Sequence, residues 1–165
     1  MKASQFLGAK EKTDLFDFHE SVPQEIIEGL FIGSAQACRN LDILKKQNIT
    51  HILNIAMKER HRHFPGQFTY KILNLEDNEE QEIYPSFDES HIFIEEARKG
   101  GGVLVHCLAG ASRSATIVIS YLMKKEKMRF EEAFQFVKCR RPETNPNPYF
   151  ISQLKEYDTF LHGGK

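Results

Sequence analysis

Residues 103–123, VLVHCLAGASRSATIVISYLM, place an apolar run, a loop of small residues and a second apolar run in immediate succession. The first run has the length of a short buried strand, and the second is long enough for an apolar helix. Small residues between a strand and a helix let successive amides turn inward, and the helix adds its positive N-terminal end. The stretch therefore predicts an anion-binding loop at the carboxyl end of a strand.

Two residues of this loop suit phosphate. Gly110 permits a backbone conformation that a side chain would penalise, and Arg113 closes the loop with a planar fork that matches two phosphate oxygens. The loop does not end in Gly-Lys-Ser/Thr, so it is not the nucleotide-binding P-loop. The predicted phosphate-binding residues are Leu108, Ala109, Gly110, Ala111, Ser112 and Arg113.

A cysteine, Cys107, begins the loop, and His106 precedes it. The amides, helix end and guanidinium that favour phosphate also favour a thiolate, so Cys107 is expected to be ionised at neutral pH. A thiolate at the floor of a phosphate-binding loop is a nucleophile directed at phosphorus. The predicted chemistry is phosphoryl transfer to sulfur, with the phosphoryl oxygens held by the amides and by Arg113.

Predicted strands and helices alternate along the rest of the chain, which indicates a single α/β domain with a central, mostly parallel sheet flanked by helices. Strands are predicted on both sides of a turn at 28–29 and at 50–56, 68–75 and 103–106, and helices at 40–48, 86–99, 114–125, 130–141 and from 148. Residues 1–20 are weakly patterned and are interpreted as an N-terminal extension, so residues 21–165 form the domain. Its ligand site should lie outside the carboxyl ends of the strands.

Charge and cysteine content narrow the class of protein. A net charge of −1 gives no reason to expect nucleic acid or an anionic membrane as partner. Cys38, Cys107 and Cys139 lack metal-ligand spacing and are interpreted as thiols in a reducing compartment. With no signal-peptide or membrane-spanning run, and Lys2 where myristoylation needs glycine, a cytoplasmic or nuclear location is expected. No metal or other cofactor is predicted, and the oligomeric state stays open.

The motif HCLAGASRS, residues 106–114, resembles the His-Cys-x5-Arg-Ser/Thr signature of the protein tyrosine phosphatase superfamily, in the version found in dual-specificity phosphatases. The similarity extends over residues 23–162 and includes LFIGSAQAC, THILNIA and RPETNPNPYF. The resemblance implies that residues 21–165 are a dual-specificity phosphatase catalytic domain of tyrosine phosphatase-like fold. It also implies hydrolysis of phosphotyrosine and of phosphoserine or phosphothreonine in phosphorylated proteins, through a phosphocysteine intermediate.

A carboxylic acid should protonate the leaving-group oxygen, and EDNEEQE, residues 76–82, offers several candidates. Alternation from Leu75 places Asp77 on the same side and Glu76 opposite. The resemblance implies an aspartate on this loop about thirty residues before the cysteine, which selects Asp77. The other acidic residues of the run, Glu79, Glu80 and Glu82, are interpreted as solvated.

The resemblance gives roles to two further residues. It implies that the Ser114 hydroxyl stabilises the Cys107 sulfur as a leaving group, although the same hydroxyl could equally satisfy the first turn of the helix. Asn147 either supports the site or only caps the last helix, while His106 is expected to be a hydrogen-bonded residue that positions the loop. Arg140 and Arg141 are explained by the dipole of the helix that they end.

Two alternatives to a protein phosphatase stay open at this point. One is a phospho-binding scaffold with little turnover, and the other is a phosphatase of RNA, glucan or lipid phosphates. The absence of lysines inside the loop argues against an inositol phosphate. The basic run KERHRH, residues 58–63, could form a rim for acidic peptides but is interpreted as a solvated loop, and its histidines have no partner spaced to complete a metal site.

Overall fold

The computed structural model describes residues 9–56 and 62–163, so residues 58–61 of the basic KERHRH run lie outside the described part. Within it, five strands form one sheet in the order β1-β2-β5-β3-β4. The strands are β1 Gln24–Ile27, β2 Leu30–Gly33, β3 Ile49–Ile55, β4 Thr69–Leu73 and β5 Gly102–His106. The β1–β2 hairpin is antiparallel and the other three pairings are parallel, which confirms the predicted mostly parallel sheet.

Six α-helices accompany the sheet in the described residues. They are α1 Ala9–Glu20, α2 Leu41–Lys46, α3 Phe87–Arg98, α4 Arg113–Lys125, α5 Phe130–Arg140 and α6 Pro148–His162. Two of them begin with the predicted asparagine caps: the Asn40 side chain accepts a hydrogen bond from the Ile43 amide and that of Asn147 accepts one from the Phe150 amide. None of the helices is long and apolar enough to cross a membrane.

The first helix, α1, differs from the sequence-based interpretation, which treated residues 1–20 as an unpatterned extension. Residues 9–20 are helical, but Leu15, Phe16 and Phe18 are all exposed. Because the helix buries no continuous apolar face, its sequence carries no amphipathic period from which it could be predicted.

Helix α4 is the centre of the core. Every residue from Ser114 to Met123 is buried, because the helix lies between the sheet and the other helices of its layer. Residues of β5 alternate between two apolar clusters, with Val103 and Val105 facing the α4 side and Leu104 facing the α2 side. The all-apolar β5 and α4 are therefore the consequence of burial on both sides, and they fix the loop that joins them.

A buried histidine on α3 makes stability depend on pH. His91 is 5% exposed and its Nε2 lies 2.8 Å from the Ser120 hydroxyl. Burial, with a smaller contribution from the charge of Lys124, lowers the pKa of His91 from 6.5 to about 4, while Asp88 and Glu95 oppose the shift. The unfolded chain therefore binds more protons between these two values, and the folded state loses stability as pH falls through this range.

We expect acidification from about pH 6.5 to about pH 4 to remove about 3 kcal/mol of unfolding free energy through His91 alone. In a urea-denaturation series His91→Gln should flatten this slope, because glutamine stays neutral and can still donate to Ser120. His51 is the matched control: burial lowers its pKa too, but it is only half-buried. His51→Gln should remove a smaller part of the slope, and an unchanged slope in His91→Gln would contradict the assignment.

Candidate active site

The cysteine loop lies at the carboxyl edge of the sheet, as predicted. Strand β5 ends at His106, Cys107 follows, and α4 begins at Arg113. The strands that flank β5 end at Gly33 and Ile55, so the loop begins beside the ends of two parallel neighbours. This is the edge at which open α/β sheets bind their ligands.

The backbone carbonyls of the loop are held by donors from surrounding elements. The Leu108 carbonyl accepts from the Ala35 amide at 2.9 Å, and the Ala111 carbonyl accepts from the Asn145 amide at 2.7 Å. The Ser112 carbonyl accepts from the amide and from the hydroxyl of Thr116. These contacts tie the carbonyls of the loop to the framework.

Arg141 supplies the remaining contacts, and the interpretation of this residue as a helix-dipole partner is wrong. It is 1% exposed, and its guanidinium donates to the carbonyls of Gly110 at 2.7 Å and Ala109 at 2.8 Å. The same group donates to the Gln24 side chain and lies 3.6 Å from the Glu20 carboxylate. Helix α5 ends one residue earlier, so the side chain turns inward below the loop instead of remaining on the helix surface.

With its carbonyls occupied, the loop leaves its donors available. The amides of residues 108–113 make no hydrogen bond to any residue that the structure describes. The Arg113 guanidinium donates through Nη1 to the Leu75 carbonyl at 2.9 Å, while its Nε is buried without a partner. Unpaired buried donors are costly, and a phosphoryl group would satisfy the amides and this Nε together. The loop is built to bind an anion.

Cys107 sits at the floor of this loop. It is 2% exposed, and its Sγ lies 3.2 Å from the Ser114 hydroxyl, which is fully buried on the first turn of α4. The buried His106 has its Nδ1 3.1 Å from the Cys107 carbonyl. Both predicted neighbours of the sulfur are therefore in contact with the cysteine.

Asp77 is held on the loop by two donors. Its Oδ1 accepts from the Ser112 hydroxyl at 2.7 Å and from the Asn147 side-chain amide at 2.9 Å. The Asn147 backbone amide in turn donates to the Ser112 hydroxyl at 3.0 Å. The second oxygen, Oδ2, makes no hydrogen bond to the described residues, so it can carry a proton. Asn147 therefore both caps α6 and supports the acid candidate.

The other acidic residues of the run do not contact the loop in the described structure. The Glu76 carboxylate accepts from the Asn78 side chain at 2.7 Å, and Glu82 accepts from the Tyr149 hydroxyl. Glu79 and Glu80 are exposed. The structure thus separates Asp77 from its neighbours in the way that the strand alternation predicted.

The described residues include one cluster with metal-ligand spacing, and it lies outside the loop. Ligand atoms of His19, Glu20 and Glu143 all lie within 4.8 Å of one another. Both carboxylates are within 4.0 Å of the Arg141 guanidinium, and His19 lies 3.3 Å from Glu143. The positive charge of Arg141 occupies the place that a cation would take.

Gly110 should be indispensable to the loop for two reasons. Its φ is +68°, and a Cβ there would lie 2.6 Å from the Gly33 carbonyl oxygen and 2.7 Å from an Arg141 nitrogen. We expect Gly110→Ala to displace the loop and to lower kcat/KM for p-nitrophenyl phosphate on the order of 10²-fold, the usual cost of misplacing catalytic groups by about 1 Å.

Gly66 provides the matched control for this substitution. Its φ is +81°, but a Cβ there would meet nothing within 4 Å. Gly66→Ala should cost about 1–2 kcal/mol of stability through backbone strain alone, with full activity. Equal activity losses in the two variants, or full activity in Gly110→Ala, would contradict the argument.

Comparison with known proteins places this site in a family. The model for the dual specificity phosphatase catalytic domain matches residues 30–160. Dual specificity protein phosphatase 1B of Arabidopsis thaliana is 43% identical over 161 residues, which cover 91% of this chain and 96% of that protein. The chain belongs to the dual specificity phosphatase family.

Solved structures show the same fold. The human tyrosine phosphatase-like serine/threonine/tyrosine-interacting protein aligns with a TM-score of 0.80 at 37% identity, covering 85% of this chain and 97% of that one. Human DUSP28 aligns with a TM-score of 0.80 at 31% identity, covering 84% and 94%.

The protein is accordingly an enzyme, a dual-specificity protein phosphatase that hydrolyses phosphoproteins through the phosphocysteine chemistry general to its superfamily. This confirms the predicted fold class and function. Neither the scaffold reading nor the use of RNA, glucan or lipid phosphates receives support from these relatives.

Proposed function

We propose that Cys107, Arg113, Asp77 and Ser114 carry out the two phosphoryl transfers. The observation that carries this assignment is the position of the Cys107 sulfur at the floor of a loop whose amides and Arg113 Nε have no described partner. A phosphoryl group bound there would be held by its equatorial oxygens, and these contacts would strengthen as negative charge develops.

In the first step the Cys107 thiolate attacks phosphorus, so an S–P bond forms while the bond from phosphorus to the leaving oxygen breaks. Asp77 transfers a proton from Oδ2 to that oxygen, which leaves as the hydroxyl of tyrosine, serine or threonine. Ser112 and Asn147 act by positioning, because both donate to Oδ1 and leave Oδ2 toward the reacting group.

In the second step water attacks phosphorus and the S–P bond breaks, giving inorganic phosphate. Asp77, now ionised, accepts the proton of the attacking water. The electron pair returns to sulfur, and the Ser114 hydroxyl at 3.2 Å can donate to the emerging thiolate. One proton is given and one is taken back, so the enzyme is restored without any cofactor.

The test is a steady-state assay with trapping of the intermediate. Hydrolysis of p-nitrophenyl phosphate, a phosphotyrosine peptide and a phosphothreonine peptide should proceed undiminished in the presence of a chelator. Rapid acid quenching with a ³²P-labelled peptide should leave label on the fragment that contains Cys107. Label on any other residue would overturn the assignment of the nucleophile.

The location remains a separate part of the proposal. The mechanism requires a reduced thiol, and Cys38, Cys107 and Cys139 form no disulfide. Cytosolic and nuclear conditions keep thiols reduced, which supports action on signalling phosphoproteins in the cytoplasm or nucleus. Fractionation of cells that express the tagged protein tests this, and recovery only from a secretory compartment would exclude it.

A further inference from the structure

Exposed apolar side chains are concentrated beside the catalytic loop. Among the described residues, the large apolar side chains with high exposure are Leu15, Phe16, Phe18, Ile92, Leu108 and Phe160. Four of these six belong to α1 or to the loop itself. Clustered exposed apolar groups, unlike scattered ones, commonly mark a binding surface.

Phe16 and Leu108 line one groove. The groove has a volume of about 460 Å³, and one of its walls is formed by Leu108, Ala109 and Ala111 of the catalytic loop. Phe16 of α1 is 61% exposed and Leu108 is 58% exposed, so both offer apolar surface to a molecule that lies in the groove. The groove continues past Gln36 into a second depression of similar size.

We propose that this groove binds the substrate polypeptide beside the phosphorylated residue, and that Phe16 selects an apolar side chain there. This inference rests on the proposed function, because a phosphoryl group seated in the loop must be attached to a chain that leaves over the rim of the loop. The groove is continuous with that rim through Leu108 and Ala109. A flanking polypeptide is therefore the occupant that the catalytic loop itself delivers.

Charge in the groove adds a second level of selection. Glu20 and Glu143 line it, and of the two only their shared partner Arg141 offsets their charge, from a buried position. An acidic side chain entering the groove would meet two carboxylates and would be disfavoured by like-charge repulsion. The groove should therefore prefer leucine or phenylalanine over glycine, and glycine over glutamate.

The experiment compares Phe16→Ala with Phe18→Ala. Phe18 is a matched control, because it is a phenylalanine of the same helix, 65% exposed, that does not line the groove. Each protein is assayed with phosphotyrosine peptides that carry leucine, glycine or glutamate in turn at the two positions on either side of the phosphotyrosine. Hydrolysis of p-nitrophenyl phosphate, which has no flanking chain, is measured in parallel.

We expect the wild type to prefer leucine over glycine at one of these positions by about five- to tenfold in kcat/KM, the range of a modest apolar contact. Phe16→Ala should remove most of this preference, and both variants should hydrolyse p-nitrophenyl phosphate like the wild type. Phe18→Ala should keep the wild-type preference for leucine.

Three results would overturn the inference. The first is the absence of any leucine preference in the wild type, and the second is its persistence in Phe16→Ala. The third is a change of sedimentation coefficient in Phe16→Ala with unchanged peptide selectivity, which would assign the groove to a second copy of the chain. Failure of the proposed function is distinguishable, because it would abolish hydrolysis of p-nitrophenyl phosphate by the wild type as well.

Discussion

Replacing Cys107 with serine should abolish turnover while substrate binding survives. Loss of an enzyme nucleophile commonly costs on the order of 10⁴- to 10⁶-fold in kcat, because a serine hydroxyl stays protonated at neutral pH where the loop favours a thiolate. The change is small, and the donors that bind phosphate are the amides of residues 108–113 and Arg113, which it does not touch. Fluorescence polarisation with a labelled phosphotyrosine peptide should therefore show binding without hydrolysis.

Cys139→Ser is the matched control for this experiment. Cys139 is exposed on α5, and no contact connects it to the loop in the described structure. The variant should keep wild-type kcat and KM. Turnover by Cys107→Ser, or its loss in Cys139→Ser, would assign the nucleophile to a different group.

The catalytic centre could be predicted from the sequence because most of it is local. Cys107, the loop and Ser114 occupy eight consecutive residues, and a buried strand and a buried helix on either side leave the loop few conformations. Strand alternation carried Asp77 to the same side as Leu75, and the structure holds that carboxylate on Ser112. Period-two geometry persisted past the strand end because Leu75 is buried and anchors the next residues.

The supporting contacts could not be predicted because they join distant parts of the chain. Arg141 reaches the carbonyls of Ala109 and Gly110 from more than thirty residues away. An arginine at a helix end has an adequate local explanation in the helix dipole, and the sequence does not reveal that this one is buried. The RPETNPN stretch offered the only signal, because the proline after Arg141 ends α5 and frees the arginine to turn inward.

The N-terminal extension shows a related limit. Helix α1 has no amphipathic period, yet its last residue, Glu20, reaches the same guanidinium that supports the loop. The first twenty residues are therefore coupled to the catalytic loop through Arg141, although the boundary between an extension and a domain from residue 21 stays a prediction. Hydrophobic patterning detects helices that build the core, and this helix contributes a charge and a groove wall instead.

Replacing Asp77 with asparagine should slow the first chemical step and leave the geometry intact. The asparagine Oδ1 can still accept from Ser112 and from Asn147, so the side chain remains on the loop, but it has no proton to give. The loss of a general acid typically costs about 10²- to 10⁴-fold. Stopped-flow and steady-state assays should show a lower kcat with KM within a few-fold of the wild type.

The dependence on leaving group identifies the step that Asp77 serves. The alkoxide of phosphothreonine is a poor leaving group and needs the proton, whereas p-nitrophenolate is stable enough to leave with little assistance. Asp77→Asn should therefore lose far more activity on a phosphothreonine peptide than on p-nitrophenyl phosphate. Glu76→Gln, a change one residue away at a carboxylate that bonds only to Asn78, should lose neither activity. An equal loss on both substrates would mean that Asp77 shapes the loop instead of protonating the leaving oxygen, and a loss confined to Glu76→Gln would move the acid by one residue.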